Sequence, residues 1–458
     1  MPSPLKSSRL RRILLAYTVN RLGTWFGLVA LLLAVFDHTH SAIAIAALLF
    51  AWQALPAFLV PAVVARVEAS ARRRELSALY VFEAVTTAGL AVLLWHFWLP
   101  AVLLLAALDG TAALAASALL RAEVAKAARD QVEAQPNDKT QQGESREDRA
   151  QESERKANAA LNIAFSATFV AGPVLGGLVV AAAGAPLALF IDVASFLICG
   201  ALLIDLHPHI EEAGNSVRAR LREAWLHINA VPALRALLLA EAIALIFFDS
   251  AGPIEVTYAK TTLHAGDRGF GLLLASWGVG VVFGSLVFAR SPKRSLGAML
   301  TGGTFAMGLA YIGFSAAPSL ELACVAAVLG GVGNGVEWAS VISIVQRLTP
   351  PALQGRLMSA VESIGALSLA LGLSLGGTLV ALSSPRVAFL VVGLGATAIT
   401  LAFLHLSLRG LEPIEADKLR AAAPENLARA LQGAHATLVS GTDEQDRSEI
   451  GQETSRAP

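Results

Sequence analysis

The sequence predicts an all-α integral membrane protein: twelve transmembrane helices arranged as two six-helix pseudo-repeat bundles, with both termini cytoplasmic. Three observations carry this. The chain of 458 residues is 55% hydrophobic and only 15% charged, where a soluble domain has about a quarter charged residues. Apolar runs long enough to cross a hydrocarbon layer of about 30 Å, roughly 20 residues each, recur along its whole length. Lys and Arg fall almost entirely on one side of those runs.

The runs cover about 13–36, 41–65, 75–96, 99–121, 157–182 and 185–206, then 234–258, 267–290, 295–316, 319–345, 355–383 and 386–408. A soluble protein could not hide that much apolar surface, so lipid must cover it. The splits between the fifth and sixth and between the eleventh and twelfth runs rest on turn residues, Gly184 with Pro186 and Ser383 to Pro385. The first run follows Lys6, Arg9, Arg11 and Arg12, as in a signal peptide. It is too long for one and lacks a small-residue cleavage site, so it is expected to be retained.

Charge tests the count independently. With the N-terminus inside, of the 35 Lys and Arg only Lys260, Arg268 and Arg386 fall in outer loops, and Arg21 lies within the first helix. Enrichment of Lys and Arg on the cytoplasmic side orients membrane proteins. A miscounted helix would scramble the asymmetry.

The domain reading follows: a first bundle over 1–206, a connector over 207–232, a second bundle over 233–408 and a cytoplasmic tail over 409–458. Inside the first bundle, 126–156 is polar, charged with both signs and free of aromatics, and is expected to be a disordered cytoplasmic insert. The connector contains a short amphipathic stretch from Arg218 to Trp225. The halves also repeat: Leu175, Gly176, Gly177, Val180, Ala181 and Ala188 match Leu375, Gly376, Gly377, Val380, Ala381 and Ala388 without a gap. Repeated six-helix halves are a transporter architecture.

Family features appear along most of residues 12–408. They include Ala157, Asn158, Ala159, Leu161 and Asn162, then Gly172-Pro173 with Gly176-Gly177, then Asp192, Ser195 and Phe196. A second group is Gln346-Arg347, Pro350 and Gly355-Arg356 with Met358-Ser359, and a third is the glycine-rich 269–284. The chain thereby resembles major facilitator superfamily transporters of the enterobactin-exporter and macrolide-efflux type. The resemblance implies alternating access, a central cavity lined by helices 1, 4, 7 and 10, and export of a drug, a siderophore or a lipid-like compound.

One segment departs from that pattern. Such transporters carry Gly-x-x-x-Asp-Arg-x-x-Arg-Arg between helices 2 and 3, and its Asp is implied to latch the outward-open state. Here Pro61 replaces the Gly and Ala65 the Asp, followed by Arg66, Glu68 and a late basic run at Arg72, Arg73 and Arg74. Glu68 is the nearest substitute acid. Arg66, Glu68, Asp192, Gly355 and Arg356 are therefore expected in structural or gating roles.

A charge at the bilayer centre costs about 3 kcal/mol on insertion scales, so it needs a partner or a wet cavity. On the cavity helices the polar candidates for a substrate or proton pathway are Arg21, Asp109, Glu241, Asp249, Asn334 and Glu337. Arg21 and Asp109 each lie about ten residues into their helices, near the midplane at about 1.5 Å per residue, where they could pair. Trp25 offers an aromatic wall beside Arg21. Glu337 sits in Gly333-Asn334-Gly335-Val336-Glu337-Trp338, where small residues allow close approach. An acid out of water resists ionisation, which suits proton exchange; a plain helix contact is the competing reading. Glu83 and Glu362 are expected to be structural. Trp95, Phe97 and Trp98 read as an interfacial belt.

Other classes find no support. The two cysteines, Cys199 and Cys324, lie in apolar runs and form no metal or disulfide pattern. A phosphate-binding GxxxxGK[ST] loop and an HExxH pair do not occur, so neither ATP-driven pumping nor metallohydrolase chemistry is indicated. No cofactor and no nucleic acid are expected. The expected partners are a small-molecule substrate, protons and the lipid bilayer, with the protein a monomer in the plasma or inner membrane. The alternative is a non-transporting membrane sensor or interaction protein that keeps the fold.

Overall fold

The computed structural model describes residues 8–59, 75–133, 146–204, 217–291, 294–349 and 351–410. Among these all regular structure is helical. Twelve helices are long and apolar enough to cross a membrane. We number them α1 (Ser8–Thr39), α2 (Ala42–Leu59), α3 (Glu75–Leu93), α4 (Leu99–Glu133), α5 (Arg146–Ala183), α6 (Ala185–Leu202), α7 (Pro232–Thr262), α8 (Gly266–Ala289), α9 (Leu296–Ala316), α10 (Leu320–Arg347), α11 (Pro351–Leu382) and α12 (Pro385–Gly410).

The turns sit where backbone chemistry demands them. His40 adopts a positive φ of 48° between α1 and α2, and Ser41 caps α2 by accepting the Ala44 N–H. Gly184 has a φ of 84° between α5 and α6, a conformation that costs glycine little, and Pro186 then pre-sets the first turn of α6. Pro232 and Pro385 open α7 and α12 in the same manner.

Two stretches differ from the sequence expectation. The polar insert 126–156 is helical at both ends, because α4 continues to Glu133 and α5 begins at Arg146. Strong helix formers fill both pieces, and Arg9 of α1 holds the α4 extension through Glu123 and Asp130, each at 2.8 Å. The stretch between those helices lies outside the described residues, as do the departing signature with Arg66 and Glu68 and the tail beyond Gly410. The connector forms a helix over Val217–Ala230 that leaves Trp225 largely exposed. Its His227 ring bonds the Leu348 carbonyl at the end of α10, at 3.1 Å. Burial pushes the His227 imidazole below its usual range, partly offset by that bond.

Both halves pack alike. In the first, α1 contacts α5 and α6, and α3 contacts α4 and α6; in the second, α7 contacts α11 and α12, and α9 contacts α10 and α12. Close contact uses glycine: Gly280 and Gly284 of α8 face the backbone of Val328 and Val332 on α10. The interface belt expected at Trp95 and Trp98 is exposed, at 62% and 63%.

Three apolar cores explain the overall shape. One, built around Leu33, Ile45, Ile254, Phe270 and Phe389, takes residues from both halves. A second, around Leu10, Ile13, Leu76 and Phe196, belongs to the first half alone. The third, around Leu234, Ile344 and Leu357, belongs to the second half and the connector helix. The shared core lies at the end of the α1–α2 and α7–α8 turns, and the separate cores lie at the end that carries Ser8 and Gly410. The halves are therefore sealed together at one end and part toward the other. The seal is made by α5 on α8 and by α2 on α11.

Candidate functional site

The second half carries the most unusual arrangement. Glu241 on α7 and Glu337 on α10 adjoin each other, side chain to side chain. They are only 6% and 2% exposed. A carboxylate has acceptors only, so a carboxyl–carboxyl hydrogen bond requires one member to carry a proton. No described donor serves the Oε1 of either side chain. Gly303 of α9 lets the wall close in, since a methyl there would lie 2.9 Å from the Glu337 Cβ.

The same helix supplies Asp249, which sits where α7 is interrupted. One segment ends at Asp249, Ser250 intervenes, the next runs Ala251–Thr257, and a π turn follows over Tyr258–Thr262. Pro253 has no N–H, so the Asp249 carbonyl loses its helical donor. Asp249 is half-buried and packs against Gly372 of α11, whose added methyl would lie 2.8 Å from the Asp249 Cβ. Asn334 is half-buried on α10, one turn before Glu337. Discontinuous helices near the middle of a transporter are a recurrent setting for binding sites.

In the first half, Asp109 takes three hydrogen bonds. Thr86 and Thr87 of α3 donate to Oδ1 at 2.8 and 2.9 Å, and Trp52 Nε1 of α2 donates to Oδ2 at 3.0 Å. These donors suit a fixed carboxylate. Arg21 lies on the α5 side, its guanidinium 4.9 Å from the centre of the Phe165 ring. Phe165 stacks on Phe169, which meets Trp25 edge-on at 5.1 Å. One cation and three aromatic faces thus line the joint between α1 and α5.

Asp192 of α6 is buried against Gly23 and Gly27 of α1, and Ser195 donates to it at 3.2 Å. Glu83 of α3 is 1% exposed and lies within electrostatic range of both Asp109 and Asp192. Gly355 and Arg356 lie in the first turns of α11. Sequence reasoning did not pick out Trp52, Thr86, Thr87, Phe165 or Phe169, and it gave Glu83 a structural role only. The spacing of Glu83, Thr86 and Thr87 places all three on one helix face, a signal that was available.

One further motif resolves simply. Gly372-Leu373-Ser374-Leu375-Gly376 has the G-x-S-x-G spacing of a hydrolase nucleophile, which needs a sharp strand-to-helix turn. Ser374 instead lies inside α11 and donates to the Ala370 carbonyl at 2.9 Å.

Comparison with known proteins agrees with this architecture. Residues 237–440 match the family profile described as Major Facilitator Superfamily. An uncharacterized MFS-type transporter, YjbB of Bacillus subtilis (strain 168), is 26% identical over 216 residues, 46% of this chain and 53% of the relative. The profile match covers less than half of this chain. The chain spans about half the length of that curated relative. Among solved structures, a bacterial homologue of the iron transporter ferroportin in an inward-facing state superposes with a TM-score of 0.65 at 15% identity, over 88% of this chain and 98% of the other. The nucleoside transporter NupG does so at 0.64 and 13%, over 87% and 99%. A bacterial metal transporter gives 0.61 and 18%, over 88% and 98%. At such identities the likeness is one of fold. The enterobactin-exporter and macrolide-efflux subtype has no counterpart among these matches.

Proposed function

We propose that this chain is a secondary transporter of the major facilitator type that works by alternating access and couples export of a small amphiphilic molecule to proton uptake. The observation that carries the reading is the buried, adjoining Glu241–Glu337 pair of α7 and α10, where one carboxyl carrying a proton avoids two bare charges side by side. Such a proton can be gained or lost in a low-dielectric site. The seal at one end and the separate cores at the other match one state of a rocking cycle. With the Lys and Arg asymmetry placing the termini in the cytoplasm, that state is inward-open.

The Arg21, Phe165, Phe169 and Trp25 wall supports an amphiphilic cargo, since aromatic faces take an apolar body and the guanidinium takes an acceptor. The drug, siderophore or lipid-like class and the outward direction rest on the sequence resemblance. In this reading the protein is a monomer in the cell membrane. Asp249 and Asn334 line the path, and Asp109 and Asp192 brace the first half.

The test uses inside-out vesicles with an energised proton gradient and a panel of lipophilic cations, macrolides and siderophores. A compound that dissipates the gradient with wild type and not with Glu337→Gln, at equal expression, supports proton antiport. Equal dissipation by both proteins removes Glu337 from the coupling step.

A further inference from the structure

Glu241 has neighbours besides Glu337. It lines a crevice between α7, α9 and α12, formed by Leu237, Ala240 and Ala244 with Leu300, Thr301, Thr304, Ile399 and Thr400. About 40 Å³ of it admits a water-sized sphere, which is room for a few waters and too little for a drug-sized body.

Two of the three threonines that line it, Thr304 and Thr400, present acceptors only. Thr304 donates its proton to the Leu300 carbonyl at 3.0 Å, and Thr400 donates to the Ala396 carbonyl at 2.8 Å. With those protons committed, these two hydroxyl oxygens present lone pairs, as does an unprotonated oxygen of Glu241. No Lys, Arg or His lines the crevice. The titratable groups facing Glu241 are Glu337 from α10 and Asp249 on its own helix; the α9 and α12 walls offer only threonines as polar groups. A space of this size and polarity favours a small cation and rejects an anion. More than nine-tenths of Glu241 is buried, and no described donor serves its Oε1.

We propose that this lateral crevice is the site through which a small monovalent cation, a hydrated proton or sodium, reaches Glu241 from the flank of the bundle, separately from the path taken by cargo. The inference rests on Glu241 as a coupling group. It adds a route and a ligand class that the central cleft does not require.

The experiment follows modification of Glu241 in the full chain, reconstituted in liposomes, by a lipid-soluble carbodiimide, which attacks protonated carboxyls. Mass spectrometry of the peptide containing Glu241 gives the rate, and Glu241→Gln is the blank. Thr301→Trp plugs the crevice and leaves the α7–α10 contact in place. It is expected to slow modification about tenfold, a rise of about 1.4 kcal/mol in the barrier to entry. An unchanged rate in a variant that melts like wild type overturns the proposal.

The double variant Thr304→Val, Thr400→Val keeps the shape and removes the oxygens, and it serves if the plug prevents folding. Protection by added sodium that is lost in this variant identifies sodium as the ligand. Protection by alkaline pH alone, with slower exchange in the variant, identifies the proton. Either protection persisting at wild-type strength in the variant overturns the crevice as the route. The gradient assay on Glu241→Gln is scored separately: normal proton release there removes the coupling role, whereas the route is judged by labelling alone.

Discussion

The side chain of Glu241 on α7 adjoins that of Glu337 on α10, with 94% or more of each residue buried. Two acids that share one proton act as a unit, because removing either ends the sharing. Glu241→Gln and Glu337→Gln are each expected to cut substrate-linked proton release at least about tenfold. The double variant is expected to be no worse than the weaker single one, a non-additivity of about 1–3 kcal/mol. A double variant that multiplies both losses would show two independent sites.

The sealed end depends on two devices that join the halves. Lys260 on α7 bridges Asp37 of α1 at 2.7 Å and Asp267 of α8 at 2.5 Å. The bridge is half open to solvent on the Asp37 side, so Lys260→Ala is expected to weaken the seal by only about 0.5–1 kcal/mol. Paired spin labels across that end should report a shift of severalfold toward the open population.

Gly271 is the stiffer device. A methyl there would lie 2.6 Å from the Pro173 carbonyl oxygen, and one at Gly177 would lie 2.9 Å from the Asp267 carbonyl oxygen. These are backbone atoms and cannot swing aside. Gly271→Leu is expected to drive α5 and α8 apart and open the sealed end, read as modification of a cysteine placed at Ala46 by an impermeant thiol reagent. A cysteine that stays protected would show that the seal does not need this crossing.

Asp109 is expected to matter for stability more than for transport. Asp109→Ala would strand the indole N–H of Trp52 and two threonine hydroxyls in a buried site. The cost is about 2–4 kcal/mol, seen as a lower melting temperature in detergent. Asp109→Asn keeps one oxygen acceptor and is expected to lose less than half as much. Loss of transport by Asp109→Asn at full stability would instead place the residue on the proton path.

His227 sets a pH response for the connector helix. Its pKa is lowered in the folded protein by burial, so the unfolded chain binds the proton more readily. The associated stability is full above the unfolded value of about 6.5 and is lost as pH falls below it toward the folded value. Protection factors for hydrogen exchange in Val217–Ala230 should fall as pH drops below about 6.5. His227→Gln, which cannot take up that proton, should remove the pH dependence.

Much of the fold was legible because lipid imposes a strong local rule. Every span must bury its own backbone polar groups, so each crossing announces itself as one apolar run. Gly184, Pro186 and Pro385 marked turns by backbone chemistry alone. The reach of α4 and α5 into the polar insert was hidden, since Arg9 reaches Glu123 across 114 positions of chain and composition could not show it. Arg21 and Asp109 were matched by depth along two helices, yet depth says nothing of the direction a side chain faces. The structure gives Asp109 its donors on α2 and α3 and sets Arg21 over Phe165.

What the sequence by itself determined is therefore the number of crossings, the repeat and the identity of the costly acids, all set within one helix or by its neighbours. The tertiary structure alone decided that Glu241 meets Glu337, that threonines of α9 and α12 flank Glu241, and that the halves close at one end only. Those facts depend on how helices distant in the chain rotate against each other. That rotation is fixed by packing at glycines and small side chains, whose effect appears only when the partner helix is in place.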